Sequence, residues 1–341
     1  MLLELILVGL GLALLMKGAD FLVDGSSRIA KRFHIPEIVI GLTIVAIGTS
    51  LPELVISIDS ALKGLSDISM GNVVGSNITN LFLIISLCAI IKPLAIKREI
   101  KLIENPIVIV CTAILYLVVT NDGIISRYEG IAFLVMTLLY ILYNIVMSKI
   151  GNQFNEEDEK TIKKAKKRAV RNSKFTKKST LIRLQEKYPL FYSVIQIGLG
   201  IVCLKFGGDL VVDNAVLIAE TLGLSEKLIS LTIVAFGTSL PELITCIAAT
   251  KKDEPDLALG NIIGSQIFNI ILIIGTAATI TPIQGVRSYE EEILILLIGN
   301  IIFALLPFIG QKNKVGRASG IAFVSFYLIY MCSLVYENLQ R

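Results

Sequence analysis

Two segments of this chain are near-copies of one another. A displacement of 189 residues lays GLTIVAIGTSLPEL (Gly41 to Leu54) on SLTIVAFGTSLPEL (Ser230 to Leu243), with twelve of fourteen positions identical. The same displacement lays GNVVGSNITN (Gly71 to Asn80) on GNIIGSQIFN (Gly260 to Asn269), and it pairs Asp20 with Asp209 and Asp24 with Asp213. One register held over that distance makes the chain a fusion of two related halves. Both copies sit in apolar surroundings. Hydrophobic residues make up 54% of the chain and the mean hydropathy is +0.75, against about 45–50% apolar residues in soluble domains. Apolar runs of about 20 residues, long enough to cross a bilayer, recur throughout. The fold class expected is an all-α polytopic membrane protein.

Ten spans are predicted, at 1–21, 37–62, 68–91, 102–120, 129–148, 189–212, 226–250, 256–281, 291–309 and 319–336. The run from Met1 to Met16 has no basic leader or small-residue cleavage site, so it reads as a first span rather than a signal peptide. Residues 150–188 are strongly basic and bury little, and they read as a cytoplasmic linker between a first repeat, 1–149, and a second, 189–341. Lys and Arg positions orient the spans. The connections after the odd-numbered spans hold 25 of them and the opposite side holds 5. That split puts the linker in the cytoplasm of a cell-membrane protein and both termini outside. Each half has five spans, an odd number, so the second half enters the membrane from the opposite side. Inverted five-helix repeats are the architecture of secondary transporters, which hold their substrate near the midplane between repeats.

The doubled GTSLPEL carries Glu53 and Glu242 at membrane depth, where a carboxylate is costly and marks a functional site by default. Proline removes a helical hydrogen bond and clashes with the carbonyl four residues earlier, here that of Gly48 or Gly237. The helix is therefore expected to break beside each glutamate. Backbone carbonyls near the breaks, those of Ala46 and Ala235, would join the hydroxyls of Thr49, Ser50, Thr238 and Ser239 and the two carboxylates. Such an all-oxygen set suits a hard cation such as Ca²⁺. It offers neither the sulfur nor the imidazole that a transition metal prefers. The bland alternative is a proline kink with Ser and Thr bonded back to the backbone, which leaves the glutamates unexplained.

The second doubled motif places Ser76 and Asn80, and likewise Ser265 and Asn269, one turn apart on a helix face. A polar stripe in an apolar span faces the bundle interior. These four are read as completing the oxygen-lined site, and Asn72 and Asn261 as interhelical hydrogen-bond partners. Gly71, Gly75, Gly260 and Gly264 permit close helix approach. Asp20, Asp24, Asp209 and Asp213 read as solvated helix ends, with an ion access path as the second reading. Lys17 and Lys205 are expected to snorkel or pair with a nearby aspartate. The five cysteines are scattered without metal spacing and read as small buried residues, and the single histidine, His34, cannot build a zinc site.

On the doubled GTSLPEL and doubled GN-x-x-GS the chain resembles the cation/Ca²⁺ antiporter superfamily, and within it the Na⁺/Ca²⁺ exchangers. The resemblance covers nearly the whole membrane domain. The H⁺/Ca²⁺ branch has a GNAxE-like segment where this chain has GTSLPE. The resemblance implies ten helices in two inverted repeats, with cations bound between the second, third, seventh and eighth. The ligands it implies are Thr49, Ser50, Glu53, Ser76, Asn80, Thr238, Ser239, Glu242, Ser265 and Asn269, with the carbonyls of Ala46 and Ala235. Some members have aspartate where this chain has Asn269, which bears on K⁺ co-transport. Gln266 replaces the asparagine found at Asn77. The linker is too short for the folded Ca²⁺-sensing domains of some relatives.

The expected function is secondary antiport of Na⁺ against Ca²⁺ by alternating access, electrogenic if a third Na⁺ binds. Coupling to H⁺, or to K⁺ with Na⁺, is the alternative. An intramembrane enzyme lacks a nucleophile–His pair, a zinc motif or a cofactor fingerprint, and a passive channel would not show saturable counter-transport. No cofactor and no nucleic acid partner are expected. The partners are the two transported ions and the bilayer, and a monomer suffices for transport.

Overall fold

The computed structural model describes residues 2–33, 35–147, 189–221, 235–309 and 313–340. The linker, His34 and the first nine residues of the seventh expected span, 226–234, lie outside them. The described chain is helical apart from short turns and four two-residue strands. In order the helices are α1 (Leu2–Phe33), α2 (Glu37–Thr49), α3 (Leu51–Leu62), α4 (Ile68–Ile91), α5 (Ile100–Asp122) and α6 (Arg127–Met147). The second half follows with α7 (Pro189–Thr221), α8 (Ala235–Thr238), α9 (Leu240–Lys251), α10 (Pro255–Ile280), α11 (Val286–Phe308) and α12 (Arg317–Gln340). Eight of these are long and apolar enough to cross a membrane, and α2 with α3 makes a ninth span bent by 48°. Helices α8 and α9 supply the described part of the seventh expected span.

Most limits fall within a few residues of expectation, but α1 and α7 do not. They continue 12 and 9 residues past the expected ends at 21 and 212. At 1.5 Å per residue, α1 is about 48 Å long against a hydrocarbon core of about 30 Å. Along its extra turns Asp24, Ser27 and Lys31 find partners in the turn between α9 and α10.

The two halves meet in a way that exchanges their equivalent positions. Helices α1 and α7 run antiparallel along a glycine seam. A Cβ at Gly11 would meet Gly207 O at 2.8 Å, and one at Gly18 would meet Gly200 O at 2.9 Å. Under the 189-residue shift Gly11 corresponds to Gly200 and Gly18 to Gly207, so the two contacts are one contact seen from either repeat. Gly130 of α6 likewise meets Ala278 and Thr279 of α10, while Gly320 of α12 meets Ala89 and Ile90 of α4. Those pairs are equivalent once the shift becomes 190, after a one-residue insertion. The strands β1 (Leu94–Ala95) and β4 (Lys314–Val315) pair antiparallel, as do β2 (Ile124–Ile125) and β3 (Ile283–Gln284). The turn after α3 uses Gly64 at φ 72°, and its counterpart after α9 uses Asp253 at φ 61°. Both residue types tolerate the left-handed region.

Helix α10 is the centre of the packing. In its membrane window 94% of residues are buried, against 17% for α12 at the rim. The polar residues of both doubled motifs therefore lie inside, and the rim helices turn apolar side chains such as Leu138, Ile301 and Ile329 outward. The cysteines divide the same way. Cys88, Cys111 and Cys246 are buried as expected, but Cys203 is intermediate and Cys332 exposed, because a membrane protein can display apolar thiols to lipid.

Replacing Gly18 or Gly200 by valine is expected to lower the unfolding midpoint in detergent sharply, since overpacking costs about 1–3 kcal/mol per site. Gly9→Val, with no atom within 4 Å of the added Cβ, is the control expected to unfold like the parent. Equal midpoints for all three variants would contradict the seam.

Candidate functional site

Each proline stands in the first turn of a new helix, Pro52 in α3 and Pro241 in α9. That position tolerates a missing N–H. The chain therefore stops at Thr49, turns through Ser50 (φ −84°, ψ 10°) and restarts; Ser239 (φ −86°, ψ 3°) does the same in the second half. The restart places Glu53 and Glu242 in the first turns of α3 and α9, where the helix macrodipole favours negative charge. Both glutamates are 1% exposed. The break spares the Ala46 carbonyl, which accepts from Ser50 N at 3.0 Å and lies 3.3 Å from Thr49 Oγ1. In the second half the Ser239 amide donates to Phe236 O at 3.2 Å.

Helices from both halves knit these hinges together. Ser50 Oγ lies 2.9 Å from Glu242 Oε1 and 3.0 Å from Ser265 Oγ. Thr49 Oγ1 donates to Asn261 Oδ1 at 3.0 Å, and its counterpart Thr238 Oγ1 donates to Asn72 Oδ1 at 3.5 Å. Asn72 Nδ2 also reaches Glu53 O and Ser57 Oγ, each at 3.1 Å. Asn72 and Asn261 thus act as interhelical partners, as expected. In α4 and α10 the backbone widens into π-helical turns, Thr79–Ile84 and Asn269–Ile274. Such turns are frequent at functional sites, and here they hold Asn80 and Asn269 one turn beyond Ser76 and Ser265.

Several buried oxygens at the site have no hydrogen-bond partner in the protein: Glu53 Oε2, Glu242 Oε2, Ser76 Oγ, Ser239 Oγ, Asn80 Oδ1 and Asn269 Oδ1. Leaving a buried polar atom unpaired costs about 1–3 kcal/mol, and more for a charged one. All six belong to residues named from the sequence, three from each half. Two carboxylates and a set of neutral oxygens can hold a cation of charge up to two without leaving net charge. Among the described residues no group of three or more His, Cys, Asp or Glu forms a metal cluster of another kind.

A cavity of about 530 Å³ lies beside the site, lined by Pro52 and Ile56 of α3, Asp209 and Asp213 of α7, and Thr238 and Pro241. Asp209 is 44% exposed and pairs with Lys205 at 2.7 Å, so the cavity reaches the surface there. This favours the access-path reading for the α7 aspartates over solvated helix ends. Their α1 counterparts behave differently. Lys252 holds Asp20 at 2.8 Å and Asp24 at 3.0 Å. Around it Lys31 pairs with Glu254 at 2.7 Å and Glu37 at 3.5 Å, Lys97 with Asp256 at 2.5 Å, and Lys92 with Asp253. Lys63, the repeat counterpart of Lys252, pairs with Asp59 of its own helix instead. No sequence pattern announces this cluster, because its members come from three separate connections. Two further buried residues were not expected: Asn77, which bonds across the halves, and Glu104, which lies against the hydroxyls of Tyr140 and Tyr143 at 2.9 and 3.3 Å. A polar residue one position after each GS was the available signal for Asn77.

Comparison with known proteins places these features in one family. The pattern of the family described as sodium/calcium exchanger protein matches residues 3–146 and 192–336. The chain is 33% identical over 339 residues to the inner membrane protein YrbG of Escherichia coli (strain K12), covering 98% of this chain and 97% of that one. It is 34% identical to the putative antiporter CaxA of Alkalimonas amylolytica, covering 97% and 99%. It is 30% identical to the sodium/calcium exchanger MaX1 of Methanosarcina acetivorans, covering 96% and 97%. Among solved structures, the sodium-calcium exchanger NCX_Mj superposes with a TM-score of 0.79 at 29% identity, covering 97% of this chain and 98% of that one.

The burial of two carboxylates predicts opposite effects on stability and binding. Glu53→Gln and Glu242→Gln are expected to unfold at the same or a higher temperature than the parent when no divalent cation is added. Ca²⁺ should then raise the parent's midpoint alone, by a gain of about 2.7 kcal/mol at 100 times Kd. Thermal unfolding in detergent across a Ca²⁺ titration measures both effects.

Proposed function

The chain belongs to the sodium/calcium exchanger family, and on that premise we propose that it exchanges Na⁺ for Ca²⁺ across the cell membrane by alternating access. The observation that carries this reading is the convergence of Glu53 and Glu242, with their unpartnered oxygen neighbours, at one buried point between the repeats. Two of the similar proteins, MaX1 and NCX_Mj, are sodium/calcium exchangers, which supports the same ions. Two ionised glutamates give the site a charge of −2, which one Ca²⁺ or two Na⁺ would neutralise. A third Na⁺ would leave it positive and make each cycle move net charge. Ligands are supplied by Thr49, Ser50, Glu53, Ser76 and Asn80 from one half. Thr238, Ser239, Glu242, Ser265 and Asn269 come from the other, with the Ala46 and Ala235 carbonyls beside them.

The first and sixth expected spans, α1 and α7, slide across the remaining bundle, and residues 150–188 join the repeats 1–149 and 189–341, consistent with family matches that stop at 146 and resume at 192. All proposed ligands come from one chain, so a monomer is sufficient. The positive-inside asymmetry orients the Lys252 cluster toward the cytoplasm and the cavity beside Asp209 toward the outside, with both termini extracytoplasmic. In that orientation the site faces outward and the ion pairs seal the cytoplasmic side. Opening to the cytoplasm requires α1 to leave Lys252. Coupling to the sodium gradient then drives Ca²⁺ out of the cell.

Purified protein in proteoliposomes is expected to take up or release radiolabelled Ca²⁺ when a Na⁺ gradient is imposed, and not when H⁺ or K⁺ gradients replace it. Glu53→Ala and Glu242→Ala should abolish the flux. Flux that persists in either variant, or that ignores Na⁺, rejects the reading. Separately, Lys252→Ala should speed amide hydrogen exchange in the α9–α10 turn and in the last turns of α1. Lys63→Ala should leave the α3–α4 turn unchanged, and equal responses would remove the cluster from the gating argument.

A further inference from the structure

Asn269 presents a carbonyl oxygen to the site only if its amide is turned the right way. A primary amide has an acceptor end and a donor end of nearly equal size, so something must choose between them. Here the choice follows from a chain of contacts that begins at a backbone atom. Asn77 lies in α4 and is 1% exposed. Its Nδ2 stands 3.3 Å from the backbone oxygen of Gln266 in α10. A backbone carbonyl only accepts, so the Asn77 end that faces it must be the NH₂. The Oδ1 of Asn77 then faces Asn269, whose Nδ2 donates to it at 3.0 Å. With Asn269 Nδ2 committed, Asn269 Oδ1 is the end left over, and it is buried without a protein partner.

We propose that Asn77 is a positioning residue that turns the carbonyl oxygen of Asn269 toward the transported cation and makes an amide, rather than a carboxylate, the fitting group at position 269. An aspartate at 269 would set acceptor oxygen against Asn77 Oδ1. Reversing Asn77 to relieve that clash would set its oxygen against the Gln266 carbonyl. The brace is one-sided. The repeat counterpart of Asn77 is Gln266, one methylene longer, and its Oε1 has no hydrogen-bond partner. The first-half oxygen Asn80 Oδ1 is thus held differently from Asn269 Oδ1, although the two positions match in sequence.

This inference rests on the exchange reading for the identity of the cation, so its test includes a readout that needs no transport. Apparent Ca²⁺ affinity is measured twice, from the KM of exchange in proteoliposomes and from the Ca²⁺ dependence of the unfolding midpoint in detergent. Asn77→Ala is expected to weaken affinity about tenfold, the scale of one net hydrogen bond to a charged partner, with most of the loss in KM rather than in maximal rate. The decisive comparison is a double-mutant cycle. In an Asn269→Ala background there is no amide left to orient, so adding Asn77→Ala should change affinity by less than about twofold. If Asn77→Ala binds Ca²⁺ as the parent does, or weakens it equally in both backgrounds, Asn77 is a packing residue and the proposal is wrong. A parent protein that binds Ca²⁺ without exchanging it would overturn the transport reading and leave the binding cycle to decide this one.

Discussion

Two carboxylates buried among helices that cross hydrocarbon are the constraint around which this molecule is arranged. Neither Glu53 nor Glu242 can be solvated by lipid, and the protein answers each with the same local device. A proline restarts the helix one residue earlier, which turns the positive end of a new helix dipole toward the carboxylate and opens a short hinge of hydroxyl-bearing residues. The helices that complete the site must then approach closely, and glycine permits it. A Cβ at Gly264 would meet Leu42 O at 2.7 Å, and one at Gly260 would meet Ile38 O at 2.6 Å. The near-complete burial of α10 follows from the same demand. So does the relegation of bulky apolar residues to the outer helices.

The fold holds a second tension, between a repeated sequence and an unrepeated structure. Contacts along the α1–α7 seam, and those of α6 with α10 and of α12 with α4, exchange under the repeat relation. The ion pairs do not. Lys252 and Lys63 are equivalent in sequence, yet one spans two helices and the other closes on its own turn. Neighbours outside the motifs differ as well. The turn after α9 carries Asp253, Glu254 and Asp256, while that after α3 has Gly64 and Leu65 at the first two of those places. A closed face and a cavity-bearing face therefore arise from a few charged residues laid over a common frame.

Much of the architecture is legible in the residues themselves, and the reason is physical. The membrane forces satisfied backbones, so helices and their limits follow from apolar length. The paired motifs name the buried polar residues, because a polar side chain at membrane depth is costly and persists where it bonds a neighbouring helix or a ligand. Three things are not legible there. The end of α1 depends on partners from distant connections, so the charges there read as the end of a span. The state of the Ala46 carbonyl depends on whether Ser50 N keeps its helical bond, which proline four residues after Gly48 does not decide. The orientation of Asn269 depends on Asn77 across the repeat boundary, whose own amide is set by the Gln266 carbonyl, and local pattern does not show that relay.

The uneven clasp at Lys252 carries one more implication. Were the two halves identical and free to exchange roles, the inward-open and outward-open forms would be mirror assignments of the same contacts, and equal in energy. A carrier of that kind would rest half in each form. Fusing the copies into one chain lifts the degeneracy, because each copy can then drift on its own. A handful of peripheral charges is enough to choose a resting form while the ligands at the centre stay matched. Thermodynamic preference for one side of the membrane is thus separable from the chemistry of the ion, and the two can change independently.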